Sequence, residues 1–152
     1  ESLQLGIDVA QRLEARLGRD NPRTVVAWDG AALNYRDQAK FDEAIALLND
    51  NLDIYKRVLG EEHPQTSMTR ASLAAAYAIA ERPKEGVDLV VRGHEALRAQ
   101  LGDEAEVVRT LASLRAYVVS EAGDYAQAAE INRQLVAQGD NTVNRITARS
   151  AE

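Results

Sequence analysis

The chain has 152 residues, of which 45% are apolar and only 5% aromatic, and its formal net charge is −6 at pH 7. This length allows one domain with a substantial core, and the acidic balance argues against nucleic acid or an anionic membrane as a partner. The absence of Cys excludes disulfides and thiolate metal sites, and the scarcity of Pro favours close-packed helices over sheets.

The first predicted element is a helix over residues 1–17. Leu5, Val9, Leu13 and Leu17 recur at every fourth position, which is typical of the apolar stripe of an amphipathic helix. We expect this stripe to cover the first full repeat that follows. The helix ends in "LGRDNPRTV" (residues 17–25), and "LGEEHPQTS" (residues 59–67) repeats its Leu, Gly, Pro and Thr.

These two stretches lie 42 residues apart, and this repeat offset holds along the chain. It aligns "KFDEAIALL" (40–48) with "RPKEGVDLV" (82–90) and "DYAQAAEIN" (124–132) without an insertion. Such a period is the signature of a repeat array. We predict half a unit at 1–18, full units at 19–60 and 61–102, a weaker unit at 103–139, and a first-helix stub or cap at 140–152.

Each unit is predicted to form two helices. The first helices cover about 22–37, 64–80 and 104–121, and the second helices cover about 42–59, 84–101 and 125–138. Asn21 and His63 precede a Pro at the first helical position, which suits an N-cap. Asp103 is the predicted cap in the third unit, and Gly60 and Gly102 are predicted to end second helices.

Small residues recur where paired helices must approach closely. They are Ala32, Ala74 and Ala116 on the first helices, and Ala44, Gly86 and Ala128 on the second helices. Larger side chains at these positions would push each helix pair open.

These features resemble tetratricopeptide repeats of the long type found in kinesin light chains and in many bacterial signalling proteins. The resemblance rests on "NPRTVVAWDGAALNYRDQAKFDEAIALLNDNLDIYKRVLG" (21–60) and "HPQTSMTRASLAAAYAIAERPKEGVDLVVRGHEALRAQLG" (63–102). It weakens in the third unit, where Val119 replaces the usual Tyr, Arg115 replaces a Leu and Asn132 replaces a large apolar residue. The resemblance implies an all-α, right-handed superhelical α-solenoid of antiparallel helix pairs, with about seven or eight helices.

The resemblance also implies which surface binds a partner. In such arrays the first helices line the inner, concave face, and this extended surface suits a peptide or a helix of a partner protein. Carried over along the repeat offset, the candidate contact residues are Val26, Asp29, Leu33 and Arg36, then Met68, Ala71, Ala75 and Ala78, and then Thr110, Ser113, Tyr117 and Ser120.

Family members that hold an extended peptide in this groove commonly carry an Asn pair on the first helix. The corresponding pairs here are Asp29–Gly30, Ala71–Ser72 and Ser113–Leu114, so the series of asparagines is missing. This departure argues against generic peptide capture in the manner of kinesin light chains.

The sequence contains no catalytic motif: it lacks a Gly-rich phosphate loop, a nucleophile elbow and a His-Glu-x-x-His helix. We therefore expect a protein that is not an enzyme and that has no cofactor or metal. A metal site could be formed by Glu61, Glu62 and His63. We favour the alternative that they form the start of a helix, where acidic side chains interact with the positive end of the helix dipole. His94 is expected to pack, fully or in part, in the middle of a helix.

Other polar residues allow two interpretations. Asp29 and Asp37 share a helix face, but an acid–base pair needs a pocket, which repeat stacks rarely supply. Trp28 is expected to pack between helices rather than to contact a ligand. A basic cluster is either a solvated face or a site for an acidic partner, and it consists of Arg12, Arg16, Arg19 and Arg23.

Two functional hypotheses follow. The first is a non-enzymatic scaffold that binds a protein or peptide partner on its concave face. The alternative is a regulatory or self-association segment of a larger bacterial signalling protein of the kinase or ATPase type, in which exposed terminal repeats allow a homodimer. The sequence lacks the reactive groups that a helical enzyme domain would need. Its acidic charge argues against a helix-turn-helix DNA binder.

The sequence also bears on location. Its apolar runs, such as residues 73–80, are too short to span a bilayer, and no signal peptide opens the chain. Because the chain starts at Glu1 rather than at Met, we expect a fragment of a longer, cytoplasmic protein.

Overall fold

The chain folds into helices joined by short loops. This computed structural model describes residues 2–149, with side chains for residues 4–139, and that part contains seven α-helices and no β-strand. The helices are α1 (Ser2–Leu17), α2 (Pro22–Asp37), α3 (Phe41–Leu59), α4 (Pro64–Ile79), α5 (Pro83–Leu101), α6 (Glu106–Glu121) and α7 (Tyr125–Arg149). The all-α class expected from the sequence is confirmed.

The repeat offset reappears in the helix boundaries. The first helices α2, α4 and α6 begin at Pro22, Pro64 and Glu106, and the second helices α3, α5 and α7 begin at Phe41, Pro83 and Tyr125. A glycine with positive φ follows α1, α3 and α5, at Gly18, Gly60 and Gly102. The chain therefore builds the same local structure three times, since glycine takes the left-handed conformation without a steric penalty.

The predicted helix caps hold for the two units that start with Pro. The Asn21 side chain accepts a hydrogen bond from the Arg23 backbone N–H at 3.0 Å. His63 Nδ1 accepts one from the Gln65 backbone N–H at 3.1 Å. Each cap pairs a backbone donor that has no partner within its own helix.

The predicted cap of the third unit is wrong. Helix α6 begins at Glu106, and its N-cap is Ala105, which makes no side-chain cap. Asp103 instead forms an ion pair with Arg98 at the end of α5, so its carboxylate serves the loop and not the helix start.

Helix α1 packs differently from the prediction. Leu5, Val9 and Leu17 remain 66%, 45% and 42% exposed, and only Leu13 of this apolar stripe is half-buried. The expectation that the whole stripe covers the next repeat is therefore wrong. Ala10 is fully buried instead, and a Cβ atom at Gly6 would lie 2.9 Å from the Asn34 side chain. Helix α1 thus approaches α2 through its small residues, because only these allow the backbones to come close.

Helix α7 runs further than predicted. It continues to Arg149, whereas the sequence suggested an end near residue 138. A glycine inside a helix costs only about 1 kcal/mol, and no Pro follows Gly139 to stop the helix. Part of the predicted stub therefore lies on α7, while residues 150–152 lie outside the described residues. The division of the chain into repeats stays a prediction.

The core runs continuously through the stack. One cluster joins the pair α2–α3 to α4 through Ala32, Leu48, Leu52 and Leu73. The next joins the pair α4–α5 to α6 through Ala74, Val90 and Val118. Because each cluster needs side chains from two neighbouring pairs, no pair can bury its apolar face alone.

Candidate functional site

The candidate contact residues lie on α2, α4 and α6, and several are exposed. Val26, Leu33, Met68 and Tyr117 are large apolar side chains that keep 49%, 38%, 39% and 45% of their surface accessible. Thr110 and Ser113 are exposed as well, and Ala75 and Ser120 are half-buried. Exposed apolar side chains mark an interaction site where they form a contiguous patch.

Two candidate residues from different units meet at one depression. Met68 of α4 and Thr110 of α6 line an open hollow of about 430 Å³ together with Glu106, Val107 and Leu111. Its walls are mostly aliphatic, so it suits apolar side chains of a partner.

Two candidate residues belong to the core. Ala71 is buried against Leu97 and Leu111, and Ala78 is buried against Val90 and Val118. These alanines set the spacing between α4, α5 and α6, so they offer a partner almost no contact area. We leave them out of the contact surface proposed below.

Arg36 and Asp37 neutralise each other at the end of α2. The Arg36 guanidinium is half-buried and lies 3.0 Å from Asp37 Oδ1. Asp29 has other partners, as described next, so the two carboxylates of α2 act separately. No acid–base pair is formed by them.

Asp29 is held in a hydrogen-bond network between repeats. Its Oδ1 accepts a hydrogen bond from Asn51 Nδ2 at 2.8 Å, and its Oδ2 accepts one from the Tyr55 hydroxyl at 3.1 Å. The Thr69 hydroxyl of α4 lies 3.5 Å from the same oxygen. Asp29 therefore ties α2 to α3 and α4, and its carboxylate is not free to contact a partner.

Burial dominates the electrostatics of this network. It raises the pKa of Asp29 above its ordinary value, although the hydrogen bonds from Asn51, Tyr55 and Thr69 oppose the shift. Burial and the Asp29 carboxylate raise the pKa of Tyr55 as well. Burial penalises the charged form of each group.

Asn51 and Tyr55 were not recognised from the sequence, although a signal existed. Along the repeat offset, Asp29, Asn51 and Tyr55 correspond to Ala71, Gly93 and Leu97. Three polar side chains that appear together in one unit, and are replaced together in the next, indicate that they contact one another.

Within the basic cluster at the first inter-repeat loop, Arg19 has a mainly structural role. The guanidinium lies 5.7 Å from the centre of the Trp28 ring, and Nη2 donates to Asn51 Oδ1 at 2.5 Å. Trp28 Nε1 donates to Glu14 of α1 at 2.8 Å. Trp28 is thus packed between α1 and the loop, in agreement with its expected role. The cluster's other members, Arg12, Arg16 and Arg23, are exposed.

The residues considered for a metal site have structural roles. His63 caps α4, and Glu61 forms an ion pair with the buried Arg70. Within the described residues, no three or more metal-ligating side chains come together. A membrane-crossing helix is likewise not found among them, because none combines sufficient length with sufficient apolar character.

Comparison with known proteins agrees with this architecture. The family model for the tetratricopeptide repeat matches residues 23–99, about half of the chain. Repeats of this family generally mediate interactions between proteins. No curated protein matches the chain.

Two solved structures share the fold. Both are kinesin light chain TPR-like repeat proteins of Podosopora anserina, and one carries a single substitution. The substituted protein is 22% identical with a TM-score of 0.80 over 93% of this chain, and the other is 22% identical with a TM-score of 0.77 over 92%. This chain spans 67% and 66% of their lengths. The α-solenoid expected from the sequence is therefore confirmed.

Proposed function

Because the chain belongs to the tetratricopeptide repeat family, we propose that it is a non-enzymatic scaffold that binds a peptide or helix of a partner protein along its concave face. One observation carries this proposal: large apolar side chains at Val26, Leu33, Met68 and Tyr117 stay exposed on three successive first helices. A partner that covers them gains the free energy of removing apolar surface from water.

The surface favours a partner segment with apolar side chains over an extended polar peptide. The usual Asn pairs are missing at Asp29–Gly30 and Ala71–Ser72, and Asp29 is already bonded within the fold. Amide groups that could bind an extended backbone are therefore scarce. The hollow beside Met68 and Thr110 suits an apolar side chain of an amphipathic helix, which anchors through residues spaced along one face.

Peptide selection tests the proposal. Peptides selected from a displayed library for binding to the wild-type chain should bind Met68→Glu at least tenfold more weakly, because a buried charge without a partner opposes association. Val58→Glu is the matched control, since Val58 is a similarly exposed apolar residue on α3, at 43%. Equal binding to both variants would contradict the proposed surface.

Self-association is the second candidate, as part of a larger cytoplasmic signalling protein of bacteria. The terminal helices favour it: Leu5 on α1 is 66% exposed, and Tyr125 on α7 is 72% exposed. Exposed apolar side chains at both ends suit contacts between copies. Light scattering over a hundredfold range of protein concentration should then show dimers that Leu5→Glu or Tyr125→Glu disrupts. A monomer at every concentration would refute this candidate.

A further inference from the structure

A polar pair replaces an apolar pair at one interface of the stack. Leu52 of α3 and Leu73 of α4 belong to one core cluster. Along the repeat offset they correspond to His94 of α5 and Arg115 of α6, and Arg115 Nη1 lies 3.5 Å from His94 Nδ1. The same structural position thus holds aliphatic side chains in one repeat and ionisable side chains in the next.

These residues border a partly open cavity between α5, α6 and α7. Its volume is about 70 Å³. Its basic wall consists of Arg98, Arg109 and Arg115, its aliphatic wall consists of Val108, Ala112, Ile131 and Leu135, and Asp103, Gln134 and Gln138 complete the lining. None of these residues belongs to the contact surface proposed above.

The cavity exists because two small residues of the preceding helix pair are replaced by large ones. A Cβ atom at Gly93 would lie 2.9 Å from the Ser67 carbonyl oxygen, so α5 packs tightly on α4. Along the repeat offset, Leu135 replaces Gly93 and Arg109 replaces Ser67. Two long side chains hold their helices further apart, which leaves space between α6 and α7.

The basic wall lacks matching negative charge. Asp103, the acidic residue of the lining, is already paired with Arg98. Arg115 Nε is buried and has no hydrogen-bond partner there. A buried donor without an acceptor is costly and uncommon.

The surroundings of His94 have the same excess of positive charge. It is buried, with only 8% of its surface exposed. Burial, followed by the charges of Arg115 and Arg98, lowers its pKa, and Glu95 and Asp103 oppose the shift more weakly. The lowered pKa favours the neutral imidazole, so the arginines carry most of the positive charge of the cavity.

We propose that this cavity binds a carboxylate group from an acidic side chain of a partner protein, held by Arg109 and Arg115 beside His94. Guanidinium groups match the planar geometry of a carboxylate and bind it with charge-assisted hydrogen bonds. The aliphatic wall suits the methylene stem of a glutamate. A cavity of about 70 Å³ admits a group of this size. This site goes beyond the proposed function, and its failure would leave the concave surface untouched.

Titration with acetate, followed by NMR, tests the site on the full chain. Acetate should shift the His94 imidazole resonances in a saturable manner, relative to chloride at equal ionic strength, and should raise the His94 pKa. His63, the chain's other histidine, is exposed at the start of α4 and is the internal control. Arg109→Gln should weaken acetate binding about tenfold, the loss expected for a charge-assisted hydrogen bond. Arg92→Gln, an exposed arginine paired with Asp88, should leave it unchanged.

A double variant covers the case in which a single substitution disturbs folding. His94→Leu with Arg115→Leu restores the apolar pair found at Leu52 and Leu73, so it should fold and should lose the rise in melting temperature that acetate gives the wild type. An absence of saturable shifts at His94, or equal acetate effects in the double variant, would overturn the proposal. Phosphate that binds more tightly than acetate would overturn the assignment to a carboxylate.

Discussion

Gly86 of α5 lies directly against the backbone of Ala74 in α4. A Cβ atom at residue 86 would be 2.9 Å from the Ala74 carbonyl oxygen and 3.1 Å from its Cα. Both residues were expected from the sequence to sit where paired helices approach closely, and this contact confirms it. The pairing of α4 with α5 thus depends on the missing side chain.

Gly86→Ala should destabilise the fold although alanine is the better helix former. The added methyl group meets backbone atoms, which cannot move aside without shifting a helix, and such overpacking costs about 1–3 kcal/mol. Gly30→Ala is the matched control, because a Cβ at that helical position would meet no described atom within 4 Å beyond its chain neighbours and the backbone of its own helix. It should gain about 0.5–1 kcal/mol. Urea unfolding of both variants measures the difference, and a stabilised Gly86→Ala variant would contradict the close contact.

Asp29 should make the free energy of unfolding depend on pH. Its pKa is raised in the folded chain above the ordinary value of 3.8, so the folded state holds this proton more tightly than the unfolded state does. Its stabilising contribution is complete below about pH 4 and is lost as the pH rises through the folded pKa. Asp29→Asn removes this dependence. The stability of the variant relative to wild type should therefore increase between pH 4 and pH 7 in urea titrations.

Glu85 supplies a comparison of opposite sign. The hydrogen bond from Arg82 lowers the pKa of Glu85, so its contribution is present above the unfolded pKa and is lost as the pH falls through the folded pKa. The free energy of unfolding of Glu85→Gln, relative to wild type, should therefore decrease as the pH rises through the acid range. Parallel trends for Glu85→Gln and Asp29→Asn would show that the assigned cause at Asp29 is wrong.

Ala39→Gly should stabilise the chain. Ala39 has a φ of 59° in the turn between α2 and α3, while the corresponding turn before α7 has Gly123 with a φ of 97°. The left-handed conformation costs a residue with a Cβ about 1–2 kcal/mol, more than the entropy that glycine adds to the unfolded chain. Differential scanning calorimetry should show a higher melting temperature for Ala39→Gly. A lower one would contradict the strain argument, and Gly123→Ala should show the reverse effect.

Local signals in the sequence predicted the helix pairs well. Asn21 before Pro22 and His63 before Pro64 gave the helix starts, because capping depends on neighbours in the chain. The third unit was predicted to start near residue 104, but α6 begins at Glu106, and the assignment of Asp103 as a cap failed because Arg98 competes for its carboxylate. Capping patterns were thus sufficient where no neighbouring side chain competed for the cap residue.

Contacts between distant residues were harder to predict. The spacing of Leu5 and Val9 defined a face of α1 but not which neighbour covers it. Asp29 was placed among the contact residues because its position on α2 faces inward by analogy. Its bonds to Asn51 and Tyr55 depend on α3, which lies more than 20 residues away in the chain, and only a comparison of all three polar positions between units could reveal them.

Crosslinking from single positions tests the concave surface most directly. A photo-crosslinking amino acid placed in turn at Met68, Tyr117 and Val58 can be activated in an extract of the source organism, and the products identified by mass spectrometry. We expect the same partner protein from Met68 and Tyr117, none from Val58 on α3, and loss of the product when Leu33→Glu is added. Equal capture from Val58, or a product that Leu33→Glu leaves unchanged, would contradict it.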